Sequence, residues 1–285
     1  MTTDAKPPIP GFERRELTHA GTRLRYFVGG SGPPLALVHG LGGAASNWLL
    51  TAPALASRRR VIVPELPGHG GSGRLEPGAS LDAFAESALA VLEVEDALPA
   101  PWVGHSFGGL VALRVAALRP QAVTGIVLAG AAGISSATRV GQVTVALMGR
   151  LRPGKLFALR RSRVAESRLG RTLAFGWWGV ADPVALDPAM AEAFLAGPAE
   201  HTDTLTAGRA LVATDPREEL HDVTCPCLCL WGACDNWVPL QDGFEYARRL
   251  RVPLRTIADC GHLLIGERPD AVVRAVDDFL AQHRL

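Results

Sequence analysis

The sequence predicts an α/β protein: a mostly parallel central sheet with helices on both faces, interrupted by an inserted helical cap. Three observations point to it. From residue 35 onward, short apolar runs ending in glycine or proline alternate with helical stretches, as buried parallel strands and their crossover helices do. That rhythm stops between about 134 and 215, where the pattern is helical and no strand stands out. Ahead of it, residues 12–30 read as a two-stranded hairpin turning at Ala20-Gly21.

Taken in order, LALVHG (35–40) is the first core strand, and SNWLLTAPALA reads as a single helix capped by Ser46. RVIVPEL (60–66) is a strand again. SLDAFAESALAVLEVEDAL (80–98) is an amphipathic helix opening on Ser80. WVGHS (102–106) is a strand that runs straight into FGGLVALRVAALRP, a helix halted by Pro120. GIVLAG (125–130), CLCLWG (227–232) and LRTIAD (254–259) supply further strands, and ERPDAVVRAVDDFLAQH closes the chain as an amphipathic helix. The expected organisation is a core in two parts, 1–133 and 216–285, with a cap at 134–215.

Composition narrows the function. Of 285 residues, 48% are hydrophobic and 20% charged, with a net charge of +1. No overall basic surface points to nucleic acid. No run of about 18 apolar residues is present to span a membrane. The charged, proline-containing amino terminus does not read as a signal sequence. Five cysteines, an odd number bunched near one segment, do not form a disulfide framework. A reduced, cytoplasmic enzyme is the expectation. Cys225, Cys227 and Cys229 alternate along one strand, so their thiols share a face. The surrounding segment reads as a buried strand in which cysteine serves as a small hydrophobe, and no metal site is expected.

The strongest local signal is Gly104-His105-Ser106-Phe107-Gly108, between a strand and a helix. A serine hydroxyl needs exposure, a nearby base and donors for the developing oxyanion, and a sharp strand-to-helix turn supplies all three. The base must be a histidine, since imidazole alone titrates near ~6.5. Eight compete: His19, His39, His69, His105, His201, His221, His262 and His283.

With His39-Gly40-Leu41-Gly42, the run Pro64 to Ser72, the serine elbow, WGACD (231–235) and CGH (260–262), the chain resembles the α/β-hydrolase superfamily, specifically its capped esterase-like members. The resemblance extends over nearly all of the chain from about residue 20. It implies Ser106 as nucleophile, His262 as general base and Asp235 as the acid orienting the histidine, with Asp259 and Asp215 as rival carboxylates and His69 as the spare base. It also implies that the backbone N–H groups of Leu41 and Phe107 hold the oxyanion, and that His39 bonds its loop rather than doing chemistry. Glu65 departs from the pattern, because many relatives carry aspartate there. Serine at 106 rather than aspartate argues for acyl transfer, not epoxide opening or dehalogenation.

The expected reaction is hydrolysis of a small-molecule carboxylic ester through an acyl-enzyme, with no cofactor. A thioesterase, a carbon–carbon bond hydrolase or a cofactor-free perhydrolase would use the same triad, and a ligand-binding protein on this scaffold is the reading from another class. Trp48, Trp177, Trp178, Phe194 and Trp237 are expected at the substrate pocket. The stretch 139–171 carries nine basic residues against Glu166 alone. It is either a solvated helical face or a device that steers anionic substrates.

Overall fold

The computed structural model describes residues 8–138 and 157–285. Eight strands form one sheet in the order β1-β2-β4-β3-β5-β6-β7-β8. They are β1 (Glu13–His19), β2 (Thr22–Gly29), β3 (Pro34–Val38), β4 (Arg60–Pro64), β5 (Ala100–His105), β6 (Val123–Ala129), β7 (Cys227–Gly232) and β8 (Leu254–Ile257). β1 and β2 pair antiparallel through the expected hairpin, whose turn residues Ala20 and Gly21 have φ of 45° and 78°. Positive φ at both positions is what a two-residue hairpin turn requires. β2 also runs antiparallel to β4, and every other pairing is parallel.

Because strand side chains alternate, each core strand feeds two apolar clusters. Ala36, Val38, Ile126, Leu128, Cys227 and Cys229 face one side, and Leu35, Leu37, Val127, Leu228 and Leu230 face the other. The first face is covered by α2 (Leu81–Val94), α3 (Phe107–Leu118) and, further along the chain, a helix at Leu240–Leu250. The second is covered by α1 (Thr51–Ala56) and the closing helix at Pro269–His283. The β7 cysteines are thus core side chains, with burial pushing the Cys229 thiol up to about 12.

One predicted helix is broken in two. Residues 45–48 form a 3₁₀ turn, and α1 restarts at Thr51. A continuous helix would put Pro53 in its interior; restarting at Thr51 puts it in the first turn, where its missing N–H costs nothing.

Between β6 and β7 the described residues hold helices and no strand. They are α4 (Arg161–Glu166), α5 (Arg168–Gly179), α6 (Pro188–Glu200) and α7 (Leu205–Ala213). Asp187 caps α6, its carboxylate accepting from the N–H groups of Ala189 and Met190 at 2.7 and 3.2 Å. α6 packs Met190, Ala191 and Phe194 into one cluster, whereas α7 packs Ala207, Ala210 and Leu211 into the other. The segment therefore shares the hydrophobic core of both sheet faces. After β7 come α8 (Leu240–Leu250), α9 (Leu264–Glu267) and α10 (Pro269–His283). Among the described residues no helix is long and apolar enough to cross a membrane.

Candidate active site

Ser106 leaves the carboxyl end of β5 with φ 53° and ψ −119°, a conformation non-glycine residues rarely adopt. Three main-chain hydrogen bonds hold it there. The Ser106 N–H donates to Ala129 O at 3.0 Å, and its carbonyl accepts from Gly109 and Ala132 at 2.9 and 3.1 Å. The flanking glycines are steric requirements. A Cβ at Gly104 would lie 2.4 Å from the Gly108 carbonyl oxygen, and one at Gly108 would lie 2.2 Å from that of Val38. Phe107 opens α3, so its N–H is in the first turn, where a helix provides no acceptor.

Beside the elbow, the loop after β3 makes a tight turn in which Gly43 N–H donates to Gly40 O at 3.0 Å. Gly42, at φ 70°, takes the third position of a type II turn, leaving Leu41 at the second. A Cβ at Gly40 would be 2.9 Å from the Cβ of Ser106, so this turn lies directly against the serine. His39 fastens it. Its Nε2 accepts from Leu66 N–H at 3.1 Å, so Nδ1 carries the proton and donates to Gly40 O at 2.9 Å. Burial pushes this imidazole down to about 4, which keeps it neutral.

Glu65 has a larger part than its sequence signal conveyed. Its buried carboxylate accepts from Ala45 N–H at 3.2 Å, from Gly71 N–H at 2.8 Å and from Arg25 Nε at 2.5 Å. It thereby joins the loop after β3 to the glycine-rich loop after β4. A Cβ at Gly70 would sit 2.2 Å from that carboxylate, which explains the glycine there.

The structure brings His262 and Asp235 together from the loops after β8 and β7. His262 Nδ1–H donates to Asp235 Oδ2 at 2.9 Å, with both side chains buried. Asp235 Oδ1 is separately occupied, accepting from Trp237 and Val238 N–H at 2.9 and 2.8 Å. Gly130, just past β6, takes φ 58°, a conformation that favours glycine, and a Cβ there would make ordinary contact with Asp235 Oδ2 and His262 Nδ1, each at 3.5 Å. The rival carboxylates are elsewhere. Asp259 is exposed, and Asp215 is engaged by Arg217. The spare base, His69, is buried against His39 and donates from Nδ1 to Pro67 O at 2.9 Å.

Two supports of His262 were not legible in the sequence. The imidazole of His105 donates from Nε2 to the His262 carbonyl at 2.9 Å, and burial pushes its pKa down to about 3. Glu267 accepts from Gly261 and Ala181 N–H at 2.9 and 2.8 Å, while His262 N–H donates to Gly179 O at 3.1 Å. Those two contacts fasten the histidine loop to the end of α5.

Of the expected pocket aromatics, Trp48, Phe194 and Trp237 have described side chains. Trp48 is fully buried and shares an apolar cluster with Phe194, which meets Phe175 edge-on with ring centroids 6.3 Å apart. Phe194 also covers Gly266, four residues past the catalytic candidate His262. Trp237 is 48% exposed and contributes its backbone N–H instead. Trp177 and Trp178 lie on α5, and their side chains lie outside the described residues. Of the basic stretch, Arg139, Arg150, Arg152 and Lys155 also lie outside them, while Arg160, Arg161, Arg163 and Arg168 are exposed. Arg171 is not part of a solvated face. It is buried, and its guanidinium donates to the carbonyls of Ala165, Pro183 and Val184 at 2.5, 3.1 and 2.8 Å, holding α5 to the turn that follows.

Ser106, Asp235 and His262 follow the carboxyl ends of β5, β7 and β8, the end of a parallel sheet at which α/β proteins place their sites. A model of the alpha/beta hydrolase family matches residues 35–275. The chain belongs to this family, and it is a hydrolase. It is 33% identical over 272 residues to a dihydrolipoyllysine-residue acetyltransferase component of an acetoin cleaving system from Pseudomonas putida, covering 92% of this chain and 68% of that one. It is 32% identical to 2-hydroxymuconate semialdehyde hydrolase from Pseudomonas sp. (strain CF600), covering 94% of each. A pimeloyl-[acyl-carrier protein] methyl ester esterase from Vibrio atlanticus is 30% identical, over 80% of this chain and 86% of that one.

Proposed function

We propose that this hydrolase cleaves carboxylic esters through an acyl-enzyme on Ser106. The observation that carries the reading is the buried Asp235–His262 hydrogen bond at 2.9 Å, together with a serine held at φ 53° at the carboxyl end of β5. With Nδ1–H bound to the carboxylate, His262 presents an unprotonated Nε2 as base. His262 Nε2 takes the Ser106 proton as Oγ bonds to the ester carbon, and the N–H groups of Leu41 and Phe107 hold the oxyanion. Collapse breaks the ester bond, and the proton on His262 passes to the leaving alcohol. Water, deprotonated by the same nitrogen, then attacks the acyl-enzyme and releases the acid with Ser106 regenerated. Residues 134–215 act as a cap over this site, and Trp48, Phe194, Trp177, Trp178 and Trp237 are the aromatic candidates for contact with the acyl or alcohol part. The chain works in the cytoplasm.

A second reading is carbon–carbon bond hydrolysis with the same triad, favoured by the likeness to 2-hydroxymuconate semialdehyde hydrolase. The test is Ser106→Ala, assayed against p-nitrophenyl esters of graded chain length, against a thioester and against a vinylogous 1,5-diketone. The expected result is ester turnover in the wild type, lost in the variant together with covalent labelling by a fluorophosphonate. Turnover of the diketone alone establishes the second reading, and labelling retained in the variant refutes both.

A further inference from the structure

One histidine that the triad does not use is placed where the cap meets the turn carrying Leu41. His201 follows directly on α6, and its ring is mostly buried. Its Nδ1 accepts from the Gly70 N–H at 3.0 Å. A nitrogen that accepts has no proton, so the proton of the neutral ring is on Nε2, and this donates to the Gly42 carbonyl at 2.8 Å. Burial lowers the pKa of His201 and keeps the ring neutral. The groups facing it are the ring of His69, centred 5.3 Å away, and Glu200 on its own helix, with His39 beyond His69.

A Cβ built on Gly42 meets nothing within 4 Å, so side-chain packing adds nothing to the Gly43 N–H bond to Gly40 O that closes its turn. Glycine is also the residue with the most backbone freedom. His39 secures the front of the turn through Gly40 O, and His201 secures its far side through Gly42 O. The surroundings make His201 a fixed point. Ser46 Oγ donates to Ala193 O at 2.7 Å, and Thr202 and Asp203 N–H donate to Gly68 O at 3.0 and 3.1 Å. Gly68 is pressed so closely that a Cβ on it would lie 1.9 Å from Asp203 O.

We propose that His201 is a positioning residue for the oxyanion site: its Nε2–H bond to the Gly42 carbonyl holds the Leu41 N–H in register with Ser106. The geometry of that donor therefore depends on a residue contributed by the cap. This rests on the reading of Leu41 as an oxyanion donor.

The experiment separates the two ends of the imidazole. His201→Gln keeps a donor near the Nε2 position, His201→Asn keeps an acceptor near the Nδ1 position, and His201→Ala keeps neither. With a p-nitrophenyl ester, Asn and Ala are expected to lower kcat by about 10–10² with KM within a factor of about three, because a displaced donor weakens transition-state binding without weakening ground-state binding. The rate of inactivation by a fluorophosphonate should fall in parallel, and Gln should restore both to within about fivefold. Thermal melts identify any variant that has merely lost its fold. A Gln variant as impaired as Ala, with Asn near wild type, overturns the proposal by showing that the Gly70 contact matters instead. So does a kcat unchanged in Ala. Leu41→Pro tests the underlying reading separately, since proline suits the second position of a type II turn but has no N–H. A loss of about 10² or more in kcat is expected. A fully active Leu41→Pro enzyme removes the oxyanion reading and the proposal together, whereas an inactive one beside an unimpaired His201→Ala removes the proposal alone.

Discussion

Replacing Asp235 by asparagine tests the site with a change of one atom per side chain. Asp235 uses its two oxygens differently: Oδ1 accepts from the main-chain N–H groups of Trp237 and Val238, and Oδ2 accepts from His262 Nδ1. An asparagine can satisfy the two main-chain donors only with its carbonyl oxygen in the Oδ1 position. Its amide NH2 must then face His262. The alternative flip would set NH2 against two N–H donors at 2.9 and 2.8 Å, leaving buried donors unpaired at about 1–3 kcal/mol each. Facing a donor, His262 can pair only by accepting on Nδ1, which moves its proton to Nε2, the nitrogen needed as base. Catalysis then has to proceed from the wrong tautomer, and kcat should fall by roughly 10⁴, about 5 kcal/mol of activation free energy. Because the main-chain bonds survive, the melting temperature should change by only a few degrees. The assay is steady-state ester hydrolysis beside a thermal melt, with Asp259→Asn as control. Asp259 is exposed at φ 48°, a conformation asparagine tolerates, so that variant should match wild type. Normal turnover in Asp235→Asn, or the loss appearing in Asp259→Asn, refutes the assignment.

Other perturbations have equally definite outcomes. Gly108→Ala drives a methyl to 2.2 Å from the Val38 oxygen, with only backbone nearby to yield; α3 must shift, and denaturant titration should show a loss of about 3 kcal/mol with strongly reduced turnover. Glu65→Ala leaves Ala45 and Gly71 N–H without acceptors and removes the partner of Arg25 Nε, so unfolding free energy should drop by about 3 kcal/mol or more. Acid should unfold the protein early. Burial holds His39 at about 4 and His105 at about 3 and lowers His69 and His201 too. The unfolded chain takes up those protons near about 6.5 while the folded chain stays neutral, so stability present above that pH is lost as pH falls below it, by about 1.4 kcal/mol per histidine per unit. His39, His69 and His105 alone give a slope of roughly 4 kcal/mol per pH unit, and a melting temperature that stays flat from about pH 7.5 to about pH 5 contradicts it.

The parallel strands were legible because burial on both faces makes them short continuous apolar runs, as in LALV, RVIV and GIVLA. α8 was not. Its buried residues are Asp242, Gly243 and Tyr246, of which one is charged and one has no side chain, so no apolar stripe marks the helix, while Phe244 faces solvent. The serine elbow announced itself because its glycines and its chemistry are neighbours in sequence. Asp235 and His262 emerged only through the resemblance, since their meeting depends on two loops joined by the β7–β8 pairing. His105, His201, Glu65 and Glu267 act on backbone groups distant in the chain. A side chain that bonds a carbonyl or an N–H leaves no complementary residue type in the sequence to point at it.

The fastening of the helical segment between β6 and β7 bears on how such enzymes diverge and how they are recombined. Its anchors at Ala193 O, Gly179 O and the N–H groups of Thr202 and Asp203 are main-chain atoms. Side chains of the segment outside its core residues, such as Met190, Phe194, Ala207 and Leu211, and outside the buried Arg171, are therefore free to drift with substrate preference, provided the backbone path past Ser46, Gly68 and His262 is kept. A chimera that imports this segment from a relative should be judged by the trace of its backbone at those three crossings. At the seam itself, the side chains that bond or pack across it, Phe194, Glu200, His201 and Thr202, are those a graft has to carry with it.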